Sequence, residues 1–586
     1  MRQWMVAAKK ADFYVIAEKF HVDPVVARII RNREVIGEKN IRIYLGGNLS
    51  DLSDPHQMKD MDRLVEILAQ KIRKQAHIRI IGDYDVDGVT SSHLFLTALR
   101  RVGAKVDVVI PHRIQDGYGL SLHLLQQAKE DGVDTILTCD NGIAAIDEIA
   151  WAKAQKMTVL VTDHHAVPFE EHEGRRTEKK SLADAVVNPH QQDCGYPYKE
   201  LCGAGVAWNV IRVLYENYDM DKREAEDLLD FVAMATVCDV MSLTGENRIL
   251  VKEGLKRIRH TKNIGLQALM QACNVQPENI SAYHFGYVLG PCVNATGRLD
   301  TARHALRLFE TGQETEAEEI ARDLVDLNQE RKELTLQGVE MAKKLCEEGG
   351  YENDPVLVLF LPDVHESIAG LIAGRIREMY NRPVFVLTRG EEGVKGSGRS
   401  TENYSMYENM CGCAELFTKF GGHPMAAGLS LPEENVEKFR RKINENCPLT
   451  VEEVCPDIHI DMAMPVGYAS TELVHQFALL EPFGKDNPSP LFADRNLSIS
   501  RMWLIGKNRN VLRMSVLSEY GQPVPVIFFG DVETLFAYFT EKFGQEEVEN
   551  ALHGRKNRIL FSMVYTAKID FYQGNENLQL EMKYYR

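Results

Sequence analysis

The side chains of this chain best equipped for chemistry are acidic and come in short clusters. Asp83, Asp85 and Asp87 lie in HIRIIGDYDVDGVT, Asp140 in CDNG, Asp163, His164 and His165 in TDHH, and Asp239 in ATVCDVM. Carboxylates one residue apart cannot all be buried unpaired, because each isolated buried charge costs several kcal/mol. Something positive must sit among them, yet the nearest cations are Arg79, on the preceding apolar run, and Arg100. A mostly oxygen set with one or two imidazoles suits Mg²⁺ or Mn²⁺, whereas structural zinc sites prefer thiolate. More carboxylates than one octahedral ion can use point to two ions about 4 Å apart with one aspartate bridging. Taken singly, each Asp reads as an Asx turn or a helix cap; several coinciding at strand ends favour a metal site.

The elements that must position them are short apolar strands alternating with helical segments. HIRII, KVDVVI (105–110), VDTILTC (133–139), MTVLVT (157–162) and ADAVVN (183–188) are the strands. Such alternation implies βαβ units, a parallel sheet and right-handed crossovers. Asp83–Asp87 follow the first strand, Asp140 the third, Asp163–His165 the fourth, and Asn188 and His190 the fifth. In open α/β sheets the ligand crevice lies at the carboxyl ends of the strands, so these groups are expected to converge.

The rest of the composition narrows the class. At 586 residues the chain has room for roughly three or four domains of about 150 each. It is 44% apolar and 26% charged, as a globular protein is. No run of about 18 uncharged apolar residues predicts a membrane helix. The start, MRQWMVAAKKADFYV, is interrupted by charge too early for a signal peptide. Eleven scattered cysteines, the closest pair being Cys411 and Cys413, predict reduced thiols and a cytoplasmic setting. The net charge of −17 argues against a surface that coats nucleic acid throughout, but not against a local basic groove. No GxxxxGK[ST] occurs, so ATP hydrolysis is not expected.

Taken together, DYDVDG, CDNG, DHH and VCDV resemble the successive motifs of the DHH phosphoesterase superfamily. Within it the chain resembles the RecJ single-stranded-DNA-specific exonucleases over nearly its whole length. Further matching blocks are LCGAGVAW, LGPCVNATGRL, HESIAGLIAGRI, GSGRS, FGGHPMAAG and EPFGKDNPSPLF. Two departures stand out: Cys292 where many relatives have Arg, and Asp486 where Gly is more usual.

The resemblance implies roles. Asp85 and Asp87 each bind one of two Mn²⁺ or Mg²⁺ ions, with Asp83 in or beside the shell. Asp140 bridges, and His164 and Asp239 complete the ligands of the second ion. Asp163 orients a histidine, and His165 faces the scissile phosphate. Arg298, past a small-residue turn, reaches into the crevice; the plainer reading pairs it with Asp300 on the surface. Ser397, between Gly396 and Gly398, and Arg399, with Arg113 and His423, look like the family's pocket for a terminal 5′ phosphate. Glycines there would let backbone N–H groups approach a phosphate, the alternative being a plain glycine-rich hairpin.

The expected architecture is α/β: a helical cover over 1–70, a parallel-sheet catalytic domain over 71–313, and a connecting helix over 314–348. A smaller α/β domain over 349–452 and an oligonucleotide-binding (OB) β-barrel over 453–586 complete it. Ile320, Leu324, Leu327, Leu334 and Met341 mark the buried side of the connecting helix. In the barrel, Lys507, Arg509, Arg513, Arg555, Lys556 and Arg558 offer charge, and Trp503, Phe528, Tyr565 and Tyr572 offer rings. About half of those rings are expected in the core.

Function reduces to three classes. A 5′→3′ single-strand DNA exonuclease releasing nucleoside 5′-monophosphates is favoured. A DHH enzyme for short oligoribonucleotides or other small phosphoesters is the alternative, though those usually lack a third domain. A replication scaffold that has lost its ligands fits badly, since every expected ligand is present. The resemblance further implies single-stranded DNA as substrate, a RecQ-type helicase and a single-strand-binding protein as partners, and a monomer.

Overall fold

The computed structural model describes residues 3–112, 116, 119–172, 175–299, 301–390, 393–506, 509–572 and 574–586. Arg113, Lys507 and Asp300, and the side chain of Tyr572, lie outside what is described. The chain forms two compact units, one of Asn48–Pro456 and one of Gln3–Gly47 with Asp457–Arg586.

The catalytic part of the first unit is built on β1 (His77–Ile81), α1 (Val86–Arg101), β2 (Lys105–Val109), β3 (Thr135–Cys139), β4 (Thr158–Thr162) and β5 (Ala185–Val187). All strand pairs are parallel, in the order β2-β1-β3-β4-β5. The order reverses between β1 and β3, and at such a point the connections leave in opposite directions and open a crevice at the carboxyl edge. The strands are apolar on both faces because helices cover both, and Ile78, Ile80, Leu137 and Leu160 are fully buried. α2 (Gly203–Asn217) and α3 (Leu229–Cys238) add to this core, followed by a π-helical turn over Phe285–Leu289 and α4 (Gly290–Leu299).

α5 (Glu314–Glu348) then runs as one helix of 35 residues between the catalytic part and the second lobe. Ile320 and Leu324 are buried as expected, but Met341 is 42% exposed. A strict seven-residue repeat drifts about 20° per heptad around a straight helix, so Ile320's stripe has rotated away by Met341. Gly338, Val339, Ala342 and Cys346 take over the buried side.

The second lobe comprises β6 (Leu357–Phe360), α6 (Glu366–Tyr380), β7 (Val384–Gly390), β8 (Gly393–Arg399), β9 (Lys419–His423) and β10 (Ala426–Leu431), ordered β9-β10-β8-β7-β6. The GVKGSGR segment is therefore the central strand of a sheet and not a loop. Its backbone is committed to ladders with β7 and β10. Its glycines serve packing: a Cβ on Gly396 would lie 2.4 Å from Leu387 Cδ2, and one on Gly398 would lie 2.3 Å from Met406 Sδ. The expected approach of backbone N–H groups to phosphate is thus corrected, because those groups are already paired along the sheet.

In the second unit, Phe492–Ile505, Val511–Leu517, Pro523–Phe528, Asn575–Tyr585 and Leu560–Tyr572 pair in sequence, and Phe492–Ile505 pairs again with Leu560–Tyr572 to close the ring. Phe528 and Tyr565 are core, while Trp503 is half-buried beneath Arg501. Residues 3–47 fold as part of this unit, which corrects the single helical cover expected over 1–70. Trp4–Val6 pairs with Ile458–Ile460, Arg33 bridges to Asp461 at 2.9 Å, and Tyr44 hydroxyl donates to Asn487 at 2.8 Å. Asp486 has φ 59°, a left-handed backbone that favours the Gly more usual there, though Asp tolerates it. No helix among the described residues is long and apolar enough to cross a membrane.

Candidate metal centre

The carboxylates converge because the ends of β1, β3 and β4 and one helix end meet along the carboxyl edge beside the switch point. Asp85 caps α1, its Oδ1 accepting from Gly88 N at 3.1 Å, and this carries Asp87 into the first helical turn. Gly88 is required there: a Cβ would sit 2.4 Å from the backbone of Asp83. Asp87 is buried and accepts the N–H groups of Gly203 (2.6 Å) and Ala204 (2.7 Å) at the start of α2, where the helix dipole favours an anion. Asp140 follows β3 with φ 61°. The next residue, Asn141, donates to Ile81 O (3.0 Å) and Cys139 O (2.9 Å), tying together the two strands that flank the crevice.

At the end of β4, Asp163 is an organiser. Its Oδ1 accepts from His164 N (2.7 Å), His165 N (3.1 Å) and His165 Nδ1 (2.8 Å), while Oδ2 accepts from Ile143 N (2.9 Å). Asn188, after β5, donates to His165 O at 2.9 Å and steadies the same turn. Asp239 ends α3.

His164 Nε2 then lies 3.1 Å from Asp140 Oδ1, 3.6 Å from Asp239 Oδ2 and 3.7 Å from Asp87 Oδ2. Three ligand groups result, each with donor atoms within 4.8 Å of one another: Asp83, Asp85 and Asp140; Asp87, His164 and Asp239; Asp140, His164 and His165. Asp140 is common to the first and third.

Electrostatically the cluster seeks a cation. Burial, then repulsion from Asp87, pushes the Asp85 carboxyl up; burial and repulsion from Asp87, Asp85 and Asp239 push Asp140 well above its ordinary value. The two local cations do not neutralise them, since Arg79 is engaged by Asp107 (2.7 Å) and Asp131 (2.8 Å), and Arg100 by Glu310 (3.2 Å). Burial dominates at His164 and holds its pKa down, keeping it in the neutral form that ligates metal. Its buried Nε2 makes no hydrogen bond to the described residues, although three carboxylates surround it. A neutral imidazole nitrogen facing crowded carboxylates fits divalent cations. His165 behaves oppositely: burial works against its charge, but the Asp163 bond and the charges of Asp163, Asp239 and Asp87 prevail and push it up to about 9.

The clamp residues divide. Arg298 on α4 donates to Ser367 O at 2.6 Å, so it bridges the catalytic part and the second lobe and is no mere surface residue. A cavity of about 450 Å³ joins Tyr84, inside the DYDVDG run, to Ser367, Lys395, Ser397 and Lys419. Arg399 lies against Gly370 of α6, where a Cβ would be 2.8 Å from Nη2, and it borders a neighbouring cavity. His423 is exposed at the end of β9 and lines neither cavity. Arg113 lies outside the described residues.

Comparisons with known proteins follow this division of the chain. The DHH family, N-terminal domain matches residues 77–236, the DHHA1 domain 353–447 and the RecJ OB domain 460–584. The single-stranded-DNA-specific exonuclease RecJ of Haemophilus influenzae is 32% identical over 582 residues, covering 96% of each chain. This chain belongs to the RecJ family. The RecJ of Bacillus subtilis is 33% identical over 511 residues, covering 86% of this chain and 63% of that relative. Among solved structures, RecJ in complex with Mn²⁺ from Thermus thermophilus superposes with a TM-score of 0.81 at 25% identity, covering all of this chain and 79% of the other. A structure of exonuclease RecJ bound to manganese gives 0.56 at 32% identity over 66% of this chain and 94% of that one.

Against the family background, Cys292 is buried on α4, 3.8 Å from Cys273 Sγ and accepting from Asn328 Nδ2 at 3.3 Å. The thiol faces the helix packing, so this position presents nothing to a phosphate. Three residues that hold the site had no separate signal: Gly203 and Ala204, which donate to Asp87, and Asn294, whose Oδ1 accepts from Val86 N at 3.1 Å. The small residues of LCGAG and the Asn of VNATG were the available clues.

Proposed function

We propose that the chain is a single-stranded-DNA-specific 5′→3′ exonuclease acting in DNA repair and recombination, releasing nucleoside 5′-monophosphates with two divalent cations, Mn²⁺ or Mg²⁺. The observation that carries the reading is the chain of ligand groups joined through Asp140 and His164, which lie 3.1 Å apart, in a family whose curated relatives bear that exonuclease name. Asp83, Asp85 and Asp140 would hold one ion, and Asp87, His164 and Asp239, with Asp140 shared, the other. When bound, such a pair supplies an activated water and neutralises charge at phosphorus.

The chain's own residues do the rest. Asp163 fixes the ring of His165 through Nδ1, and His165 would face the scissile phosphate. Arg298, held at the seam by Ser367, adds a positive group. Ser397, Arg399 and Arg113 would receive the terminal 5′ phosphate, with His423 at the periphery. A terminal group seated one nucleotide from the metals makes cleavage exonucleolytic. The finer partners, a RecQ-type helicase and a single-strand-binding protein, belong to the same proposal, as do the cytoplasmic setting, the monomeric state and the domain ranges 71–313, 314–348, 349–452 and 453–586.

The test is to incubate the full chain and Mn²⁺ with a long 5′-phosphorylated single strand, a blunt duplex and a dinucleotide. Release of mononucleotides from the single strand alone is expected, and its loss in Asp140→Ala. Turnover of the dinucleotide as fast as the long strand would move the reading to small phosphoesters.

A further inference from the structure

The helical stretch that carries Arg298 begins with two tyrosines that nothing above uses. Tyr283 and Tyr287 are 62% and 71% exposed, and their rings stack on each other, centroids 5.1 Å apart and planes 23° from parallel. A stacked, exposed aromatic pair is not packing of a core, since burial is what would repay ordering those rings. The residues between and beside them show the contrast: Phe285 and Leu289 are fully buried on the opposite side. The backbone here is the π-helical turn over Phe285–Leu289, a rare form that recurs at functional sites.

The helical stretch that carries the pair touches the segments that hold the metal ligands. Phe285 O accepts from Cys238 Sγ at 3.3 Å, and the residue after Cys238 is Asp239. Further along the same helix, Asn294 touches Val86 between Asp85 and Asp87, seven residues or roughly 10 Å from Tyr287. At its far end Arg298 meets Ser367 of the second lobe, where Ser397 and Arg399 lie. The helix therefore runs from the clamp end, past the metal ligands, to the tyrosines.

Resting on the exonuclease reading, we propose that Tyr283 and Tyr287 are a stacking platform for bases of the uncut strand, on the side of the metal ligands away from the terminal-phosphate clamp. Parallel rings extend a base stack regardless of sequence, because every base has a π-face, and a paired duplex would not offer unstacked bases to them. The platform holds the strand between cleavage events and adds to the preference for single strands.

The experiment compares KM and kcat on a 5′-phosphorylated 30-nucleotide strand for the wild type, Tyr283→Ala/Tyr287→Ala and Tyr283→Phe/Tyr287→Phe. KM is expected to rise about tenfold or more in the Ala pair, as base stacking of 1–3 kcal/mol implies, with kcat within about twofold, and to stay near wild type in the Phe pair. A second arm uses the wild type alone, on the same strand with abasic sites a few nucleotides from the 5′ end, and should show the same rise in KM. That arm decides even where the Ala pair does not fold. An unchanged KM for the Ala pair, or for the abasic strand, would overturn the platform and assign the tyrosines to some other surface. A wild type that releases no mononucleotide from any single strand would instead remove the exonuclease reading beneath it.

Discussion

Asp163 Oδ1 accepts three hydrogen bonds, from the backbone of His164, the backbone of His165 and the Nδ1 of His165 at 2.8 Å, so one buried carboxylate sets both histidines of the DHH run. Burial opposes the charge of Asp163, yet the His165 bond and the nearby imidazoles hold its carboxyl below the ordinary range. Replacing it with Asn reverses one acceptor into a donor and frees the His165 ring. Asp163→Asn should lose about 10- to 100-fold in kcat/KM with folding intact, as removal of groups that orient metal-site side chains does. Steady-state kinetics beside a thermal melt would check this; full activity would count against the organising role.

Asp140 carries a cost in the absence of metal. Its carboxyl is buried among Asp83, Asp85, Asp87 and Asp239, and repulsion raises its pKa. Asp140→Asn, which keeps a residue tolerant of φ 61°, should stabilise the metal-free protein by about 1–2 kcal/mol while abolishing stabilisation by added Mn²⁺. Denaturation curves with EDTA and with Mn²⁺ give both readings. Equal Mn²⁺ stabilisation in the variant would show that Asp140 is not a ligand.

Arg399 presents a guanidinium beside Gly370 in the second lobe. Arg399→Ala should remove the preference for 5′-phosphorylated over 5′-hydroxyl strands, a loss of about 10- to 100-fold for a charged hydrogen bond of 1.5–3 kcal/mol. Competition between the two strand types measures it directly.

Asp230 gives the pH dependence of stability a separable component. It is buried, accepts from Thr261 Oγ1 (2.6 Å) and Phe231 N (2.9 Å), and burial raises its pKa to about 6. The folded state thus binds this proton more tightly than the unfolded chain, whose aspartates titrate near ~3.9. The contribution is fully present below about pH 4 and is lost as pH rises through about 6, an effect of about 2–3 kcal/mol. Asp230→Asn should flatten that part of the profile, so the wild-type-minus-variant difference between pH 4 and 7 isolates it. Parallel profiles would contradict the buried, raised pKa.

Much of this was legible because the chemistry sits at strand ends. Period-two apolar runs located five parallel strands, and Asp or His immediately after β1, β3 and β4 could only meet at one sheet edge. The helix over 314–348 was equally clear from length and periodicity, although Met341 strayed because a seven-residue stripe slips around a straight helix. What stayed hidden depended on partners far away in sequence. The helices within 3–47 look like any amphipathic helices, and partners such as Asp461 and Asn487 reveal where they pack. GVKGSGR suggested backbone N–H groups open to a phosphate because glycine has two uses, freedom of backbone and absence of a side chain, and here Met406 and Leu387 show the second.

The most direct measurement is anomalous diffraction from crystals of the full chain soaked in Mn²⁺. Two peaks about 3.5–4 Å apart are predicted, one beside Asp83 and Asp85, the other beside Asp87, His164 and Asp239, with Asp140 reaching both. A saturating soak that leaves no peak between Asp140 and His164, with the carboxylates still clustered, would contradict the metal centre and the exonuclease with it.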